Sequence, residues 1–256
     1  MVIEKCQRCV GNQTCSNQVV AECIPVRAFG DGSSKLVQVA TIGLNPARNE
    51  FFHYGLAKGR SQRLAVLHDY EATSRADLQD ADVDDARNRR KGYFSNLNRG
   101  WHPHFEKLES FVSRIEPVWS YFSGRVVHID LVACATEVRW GELSASCQTG
   151  LLANCRAHFL ATLSRLPNGT LLFFDGSRVI SEMRQIGLSF EQEGGDQRIN
   201  IQGNLGCVGK LIFREKTFPF RGWSMPVGKL TLPWRYDLAF WVCGTLRPPL
   251  SFLPNS

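Results

Sequence analysis

Apolar and polar positions alternate along the chain with two periods, and the change from one to the other marks strands and helices in turn. Leu36 to Ile42 is mostly apolar and β-branched, the composition of an inner parallel strand. It runs into Gly43-Leu44-Asn45-Pro46-Ala47, where glycine and proline bracket an asparagine as a tight turn. Leu64, Ala65, Leu67 and His68 fit one face of a helix over 60–71. Phe105, Leu108, Phe111, Val112 and Ile115 recur at three- and four-residue intervals and predict an amphipathic helix over 103–116. A second buried strand follows over Arg125–Val132. Gln148–Leu166 then places Leu151, Leu152, Cys155, Phe159, Leu160 and Leu163 on one helical face. Thr170–Phe174 reads as a third buried strand ended by Asp175-Gly176, with a helix over Val179–Ile186 behind it. This alternation predicts an α/β fold, a parallel sheet with helices on both faces. The last quarter differs. Gln197–Phe220 shows short alternating runs and several glycines, which suggests a β-ribbon insertion packed against the sheet. Gly222 to Pro226 reads as a strand-end loop, Pro233–Cys243 as a closing helix and 247–256 as a Pro-rich tail. The organisation expected is a Cys-rich leader over 1–35, one α/β domain over 36–246, and the tail.

Composition narrows the class. A hydrophobic fraction of 43% in 256 residues supports a real core. No run reaches the ~18 apolar residues of a membrane helix, and Met1 to Lys5 lacks the apolar stretch of a signal peptide. The expectation is therefore a cytoplasmic monomer without an obligate protein partner. In a reducing compartment the nine cysteines are thiols or metal ligands rather than disulfides. Cys6-x-x-Cys9 closes a small chelate loop, and Cys15 and Cys23 lie close behind it, so these four are the expected ligands of zinc or an iron–sulfur cluster. Thiolates suit either metal. A second ligand set keeps Cys6 and Cys9 and adds Cys134 and Cys155.

The formal charge of +6 mildly favours a polyanionic partner. Five aspartates between Asp77 and Asp85, read as a solvated loop or helix face, precede Arg87, Arg89, Arg90 and Lys91. These cations lead into Gly92-Tyr93-Phe94, a combination that suits a nucleic-acid backbone and an unstacked base. The other chemical signal is His128-Ile129-Asp130-Leu131-Val132. In a strand His128 and Asp130 point the same way. Asp130 is flanked by apolar residues, and burying it unpaired would cost several kcal/mol, so it is either satisfied by neighbours or reserved for a ligand.

Ile42-Gly43-Leu44-Asn45-Pro46, His128-Ile129-Asp130-Leu131-Val132, and Ala135-Thr136 with Trp140 resemble, in order and spacing, the uracil-DNA glycosylase superfamily, nearest to its Gly-Leu-Asn-Pro branches. The likeness covers much of residues 36–175. It implies a central, mostly parallel four-stranded sheet flanked by helices, and DNA as the partner. It also implies that Asn45 positions the attacking water, that Asp130 reads the base edge, and that no cofactor serves the chemistry. Gly43 and His128 would complete the base pocket, with Phe94, Phe51 or Tyr93 stacking on the flipped base and Ser224 in the late loop. Arg87, Arg89, Arg90 and Lys91 would hold the duplex. The early Cys-x-x-Cys with Cys134 and Cys155 is similar to the iron–sulfur members. Three departures matter. No histidine follows His158, whereas the family often keeps one late, and Asp130 stands where uracil enzymes commonly keep asparagine. An ionised carboxylate only accepts, so it fits the 4-amino group of cytosine and repels the carbonyl of uracil. Ala47 replaces a bulky aromatic that would exclude a 5-substituent. The expected activity is excision of a 5-modified cytosine, such as the glucosylated hydroxymethylcytosine of phage DNA, in antiviral defence. A repair glycosylase for deaminated bases and an inactive nucleic-acid-binding relative are the alternatives.

Overall fold

A computed structural model describes residues 4, 6–11, 15, 17–52, 64–95, 103–186, 188–193, 197–198 and 204–246. The strands are β1 (Val39–Gly43), β2 (Val126–Asp130), β3 (Leu171–Asp175), β4 (Ser189–Gln192), β5 (Gln197–Arg198), β6 (Leu205–Phe213) and β7 (Lys216–Trp223). The helices are α1 (Asp80–Lys91), α2 (Pro103–Ile115), α3 (Ala145–Leu163), α4 (Ser177–Gln185) and α5 (Leu232–Leu246). All strands join one seven-stranded sheet in the order β2-β1-β3-β7-β6-β4, with β5 also on β6. The chain is thus mixed α/β, with parallel pairing from β2 through β7 and antiparallel pairing beyond.

The expected four-stranded sheet with a separate ribbon needs correction. The ribbon is the continuation of the sheet. β7 carries Phe218 and Phe220 to one face and Trp223 to the other, all fully buried, so it is stable only inside a sheet covered on both sides. It pairs with β3 through Leu172↔Phe220 and Asp175↔Trp223, and a two-residue hairpin at Arg214-Glu215 then brings β6 alongside. The helix expected over 60–71 is also corrected. Residues 64–66 run extended, with Val66 bridging Cys23, and only Leu67–Tyr70 makes a short 3-10 turn; 60–63 lie outside the described residues, as does the tail 247–256. The acidic run becomes the first turns of α1, where Asp82 accepts a hydrogen bond from the Gln79 backbone N–H at 2.8 Å, and the following cations fill its last turn. Both ends complement the helix dipole.

Strict alternation sorts the strands' side chains between two cores. Val39, Val126, Leu171 and Phe173 pack under α2 and α5, whereas Ala40, Ile42, Val127, Ile129, Leu172 and Phe174 pack under α3 and α4. Thr41, His128, Asp130 and Asp175 therefore share the α2/α5 side. The leader closes the outer edge of β2: Phe29 exchanges backbone hydrogen bonds with His128 at 2.8 and 3.1 Å, and the Val26 N–H reaches Ala133 O at 2.8 Å. Among the described residues no helix is long and apolar enough to cross a membrane.

Asp175 ties the end of β3 to the end of β7 and the loop beyond it. Its Oδ1 accepts from Trp223 Nε1 at 2.8 Å and from the Val227 N–H at 2.7 Å, both in buried surroundings. Asp175→Ala leaves two buried donors without partners and is expected to lower stability by about 3 kcal/mol. An unchanged urea midpoint in circular dichroism would remove this clamp from the account.

Candidate functional site

The carboxyl ends of β1 and β2 open on a cavity of about 270 Å³. Parallel pairing sets Thr41 opposite His128 and Gly43 opposite Asp130. A methyl group on Gly43 would collide with Asp130 Oδ1 and lie 2.7 Å from His128 Nε2, so only glycine lets both side chains fold over the strand. His128 Nε2 stands 3.2 Å from Asp130 Oδ1, with both residues at most 5% exposed. On the other side of the ring Nδ1 is 2.8 Å from Thr41 Oγ1, itself 2.6 Å from the Tyr121 hydroxyl. With Asp130 ionised and the imidazole neutral, one polarity satisfies the chain. Tyr121 donates to Thr41, Thr41 to Nδ1, and Nε2–H to the carboxylate. Burial holds the Tyr121 hydroxyl well above its ordinary pKa and keeps it a donor.

Asn45 follows on the turn beyond β1. Its Nδ2 donates to Thr136 Oγ1 at 3.0 Å and to Pro46 O at 3.1 Å, and Thr136 in turn donates to Val138 O at 2.7 Å. The amide is thereby oriented with its nitrogen engaged. Among the described residues Asn45 Oδ1 and Asp130 Oδ2 have no hydrogen-bond partner, and both residues line the cavity. Pro46, Ala47 and Gly43 line it with them.

The remaining base-pocket expectations divide. Phe51, Tyr93 and Phe94 are buried and do not line the cavity; Phe94 packs on Phe105 and Tyr121 instead. The aromatic lining comes from Phe29 and Phe105, with Tyr93 packed edge-on behind Phe29 at 5.0 Å. Ser224 lies in an adjoining cleft of about 590 Å³, its hydroxyl bonded to Asn204. Sequence reasoning missed Phe29, Glu50, His104 and Asp175, which also line the cavity. Glu50 is buried and accepts a hydrogen bond from the Tyr93 hydroxyl. His104 stands on the first turn of α2 with its ring 6.2 Å from that of His128, and burial lowers its pKa, so it is neutral at neutral pH. A histidine in the first turn of an amphipathic helix was the one available signal for it.

The expected duplex-binding cations lie elsewhere. Arg89 pairs with Asp69 and Asp85 at 2.8 Å, and Arg87 with Asp84 at 3.0 Å and Glu4 at 3.3 Å; Arg90 and Lys91 approach Glu4 and Asp31. None of the four lines the cavity. Three neighbouring depressions instead follow the carboxyl ends of the strands. The cavity shares Asn45, Pro46 and Ala47 with a cleft holding Arg48 and Arg139, and Leu44, Asp175 and Pro226 with the cleft holding Arg178 and Lys229.

The thiols also rearrange. The sulfurs of Cys9, Cys134 and Cys155 all lie within 4.8 Å of one another and are buried, close enough to hold a metal. Cys15 instead donates to Cys147 O at 3.3 Å, and Cys23 sits in the core beside Val66, so the local ligand set of Cys6, Cys9, Cys15 and Cys23 is corrected: the cluster holds Cys9, Cys134 and Cys155 of the distant set, without Cys6. The reason is topological. Cys134 follows β2 and Cys155 lies on α3, and the leader crosses between them. Buried Arg75 donates to Cys6 O at 3.1 Å and lies 3.7 Å from Cys134 Sγ. Hydrogen bonds from Cys155 and Cys9, aided by this guanidinium, pull the Cys134 thiol well below its ordinary pKa. A thiolate beside two thiols is a donor set that fits zinc or an iron–sulfur cluster.

The chain matches no protein-family model, no curated protein and no solved structure. The site's own geometry therefore carries the functional argument.

Cys134→Ala and Cys155→Ala are each expected to reduce the metal that copurifies with the protein to background, while Cys23→Ala retains it. Elemental analysis with absorption spectroscopy reads the outcome, and equal metal content in all three variants would rule out the buried cluster.

Proposed function

We propose that the protein is a monofunctional DNA glycosylase that excises an extruded pyrimidine, a cytosine carrying a substituent at C5. The supporting observation is that Asn45 and Asp130, 85 positions apart by their residue numbers, line one cavity, each with an oxygen that no described residue engages. A neutral or cationic donor edge suits two such acceptors. Asp130, held by His128, accepts from the 4-amino group. Phe29 and Phe105 provide apolar faces for the ring, and the small Ala47 side chain leaves room beside C5. Asn45 Oδ1 accepts from a water directed at C1′. The C1′–N1 bond breaks, its electron pair leaves with the base, and water supplies hydroxyl to C1′ and a proton that neutralises the departing base. Among the described residues no lysine lines the cavity, so a Schiff base to the sugar is not part of the reading. Arg48, Arg139, Arg178 and Lys229, along the adjoining clefts, take the place of the α1 cations as the duplex-docking surface. Extrusion from the stack delivers the base to the cavity between them.

Two measurements test this. Purified protein is incubated with unmodified, uracil-containing, hydroxymethylated and glucosylated DNA, abasic sites are scored by alkaline cleavage, and released bases are identified by mass spectrometry. Release from the glucosylated DNA, lost by more than ~100-fold in Asn45→Ala, is expected. Excision confined to uracil would overturn the cytosine assignment, and no abasic product from any substrate would overturn the glycosylase itself. Second, Arg139→Gln with Lys229→Gln is expected to weaken duplex binding and to flatten the plot of log affinity against log salt by roughly 1–2 in slope, with Arg89→Gln unchanged. The opposite ranking would return the duplex to α1.

A further inference from the structure

At the other end of the parallel strands lies a second concavity, built from cations. Lys216 opens β7, and its Nζ donates to Ser164 O and Leu166 O at 2.7 and 2.5 Å, which fixes the end of α3 beside the amino ends of the strands. Arg165, just past that helix, lines a cleft of about 420 Å³ together with Arg27, Arg87, Arg90 and Lys91. Among the described residues Asp31 is the sole carboxylate on its lining. Glu4, 1% exposed, is shared between Arg87 at 3.3 Å and Arg90 at 3.7 Å. One carboxylate thus serves two guanidiniums. Arg90 is 8% exposed, yet its Nε, like that of Arg27, is buried without a hydrogen-bond partner among the described residues.

Such a cluster is costly as it stands. Burial, opposed by Glu4 and aided by repulsion from Arg27, Arg87 and Arg165, lowers the Arg90 pKa to about 10, which still leaves it charged at neutral pH. Among the described residues the other carboxylates paired with this cluster are Asp84, 3.0 Å from Arg87, and Asp31, 3.9 Å from Lys91, and neither reaches Arg90, Arg27 or Arg165.

We propose that this cleft is a binding site for a small, free phosphate-bearing anion, separate from the candidate excision cavity. Several converging guanidiniums with unused N–H groups match a multiply charged tetrahedral oxyanion better than a single carboxylate. The recess favours a free molecule over the backbone of a duplex, because a phosphate on a convex rod cannot reach an arginine that is 8% exposed. The volume admits a diphosphate or a mononucleotide.

Isothermal titration of the full chain with inorganic pyrophosphate, at constant ionic strength, tests the site without any excision assay, so its outcome is independent of the glycosylase reading. Saturable one-to-one binding is expected. Arg165→Gln removes an exposed charge at no risk to the core and is expected to weaken binding about tenfold, as loss of one charge-assisted hydrogen bond implies. Arg90→Gln is expected to abolish it, and if that variant fails to fold, Arg165→Gln alone decides. Binding equal in wild type and Arg165→Gln, or no heat beyond a potassium chloride control, overturns the proposal. Complete displacement of pyrophosphate by a short duplex overturns it too, reassigning the cleft to backbone contact.

Discussion

The register of β1 against β2 is the constraint on which the candidate site depends. It sets a residue without a side chain against a carboxylate, and a threonine hydroxyl against an imidazole. Slipping β2 by one position would send His128 and Asp130 to the α3/α4 side and leave an unpaired acid in an apolar core. Burying Asp130 is tolerable because His128 meets it, and His128 is itself held by Thr41 and Tyr121. That network reaches from α2's neighbourhood to the strand end, so the polar site is braced by groups that never enter the cavity.

The parallel half of the fold was legible because its signal is local. Inner strands are short apolar runs, and the helices over 103–116 and 148–166 announce themselves by period; α3 runs Ala145–Leu163, three residues earlier at each end, because the Ser144 hydroxyl caps it by accepting from the Cys147 N–H. The ribbon was harder to read. A hairpin packed on a sheet and one continuing it have the same alternation, and the difference between them is pairing across about fifty positions, Leu172 with Phe220. The helix expected at 60–71 failed because Leu64, Ala65 and Val66 answer to the leader, not to one another.

The site shows the same division. Gly43, Asn45 and Asp130 were readable from turn chemistry and an acid stranded among apolar neighbours. Phe29 was not, because it lies in a segment without period whose place is fixed by backbone pairing to His128. The stacking candidates failed for a related reason: Phe94 and Tyr93 follow cations in sequence, but α1 turns them inward as support for Phe105 and Phe29. The thiols were misassigned by proximity along the chain, since Cys134 and Cys155 approach Cys9 only after β2 and α3 have formed.

The leader's seam along β2 has a consequence for how the molecule tolerates damage. Where Val26 and Phe29 zip onto that border, they occupy amides and carbonyls that would otherwise face outward from a strand as apolar as Val-Val-His-Ile-Asp. A chain cleaved beyond Phe29 would bare a sticky template for a neighbouring copy. Its first symptom would be turbidity, with helical content still intact.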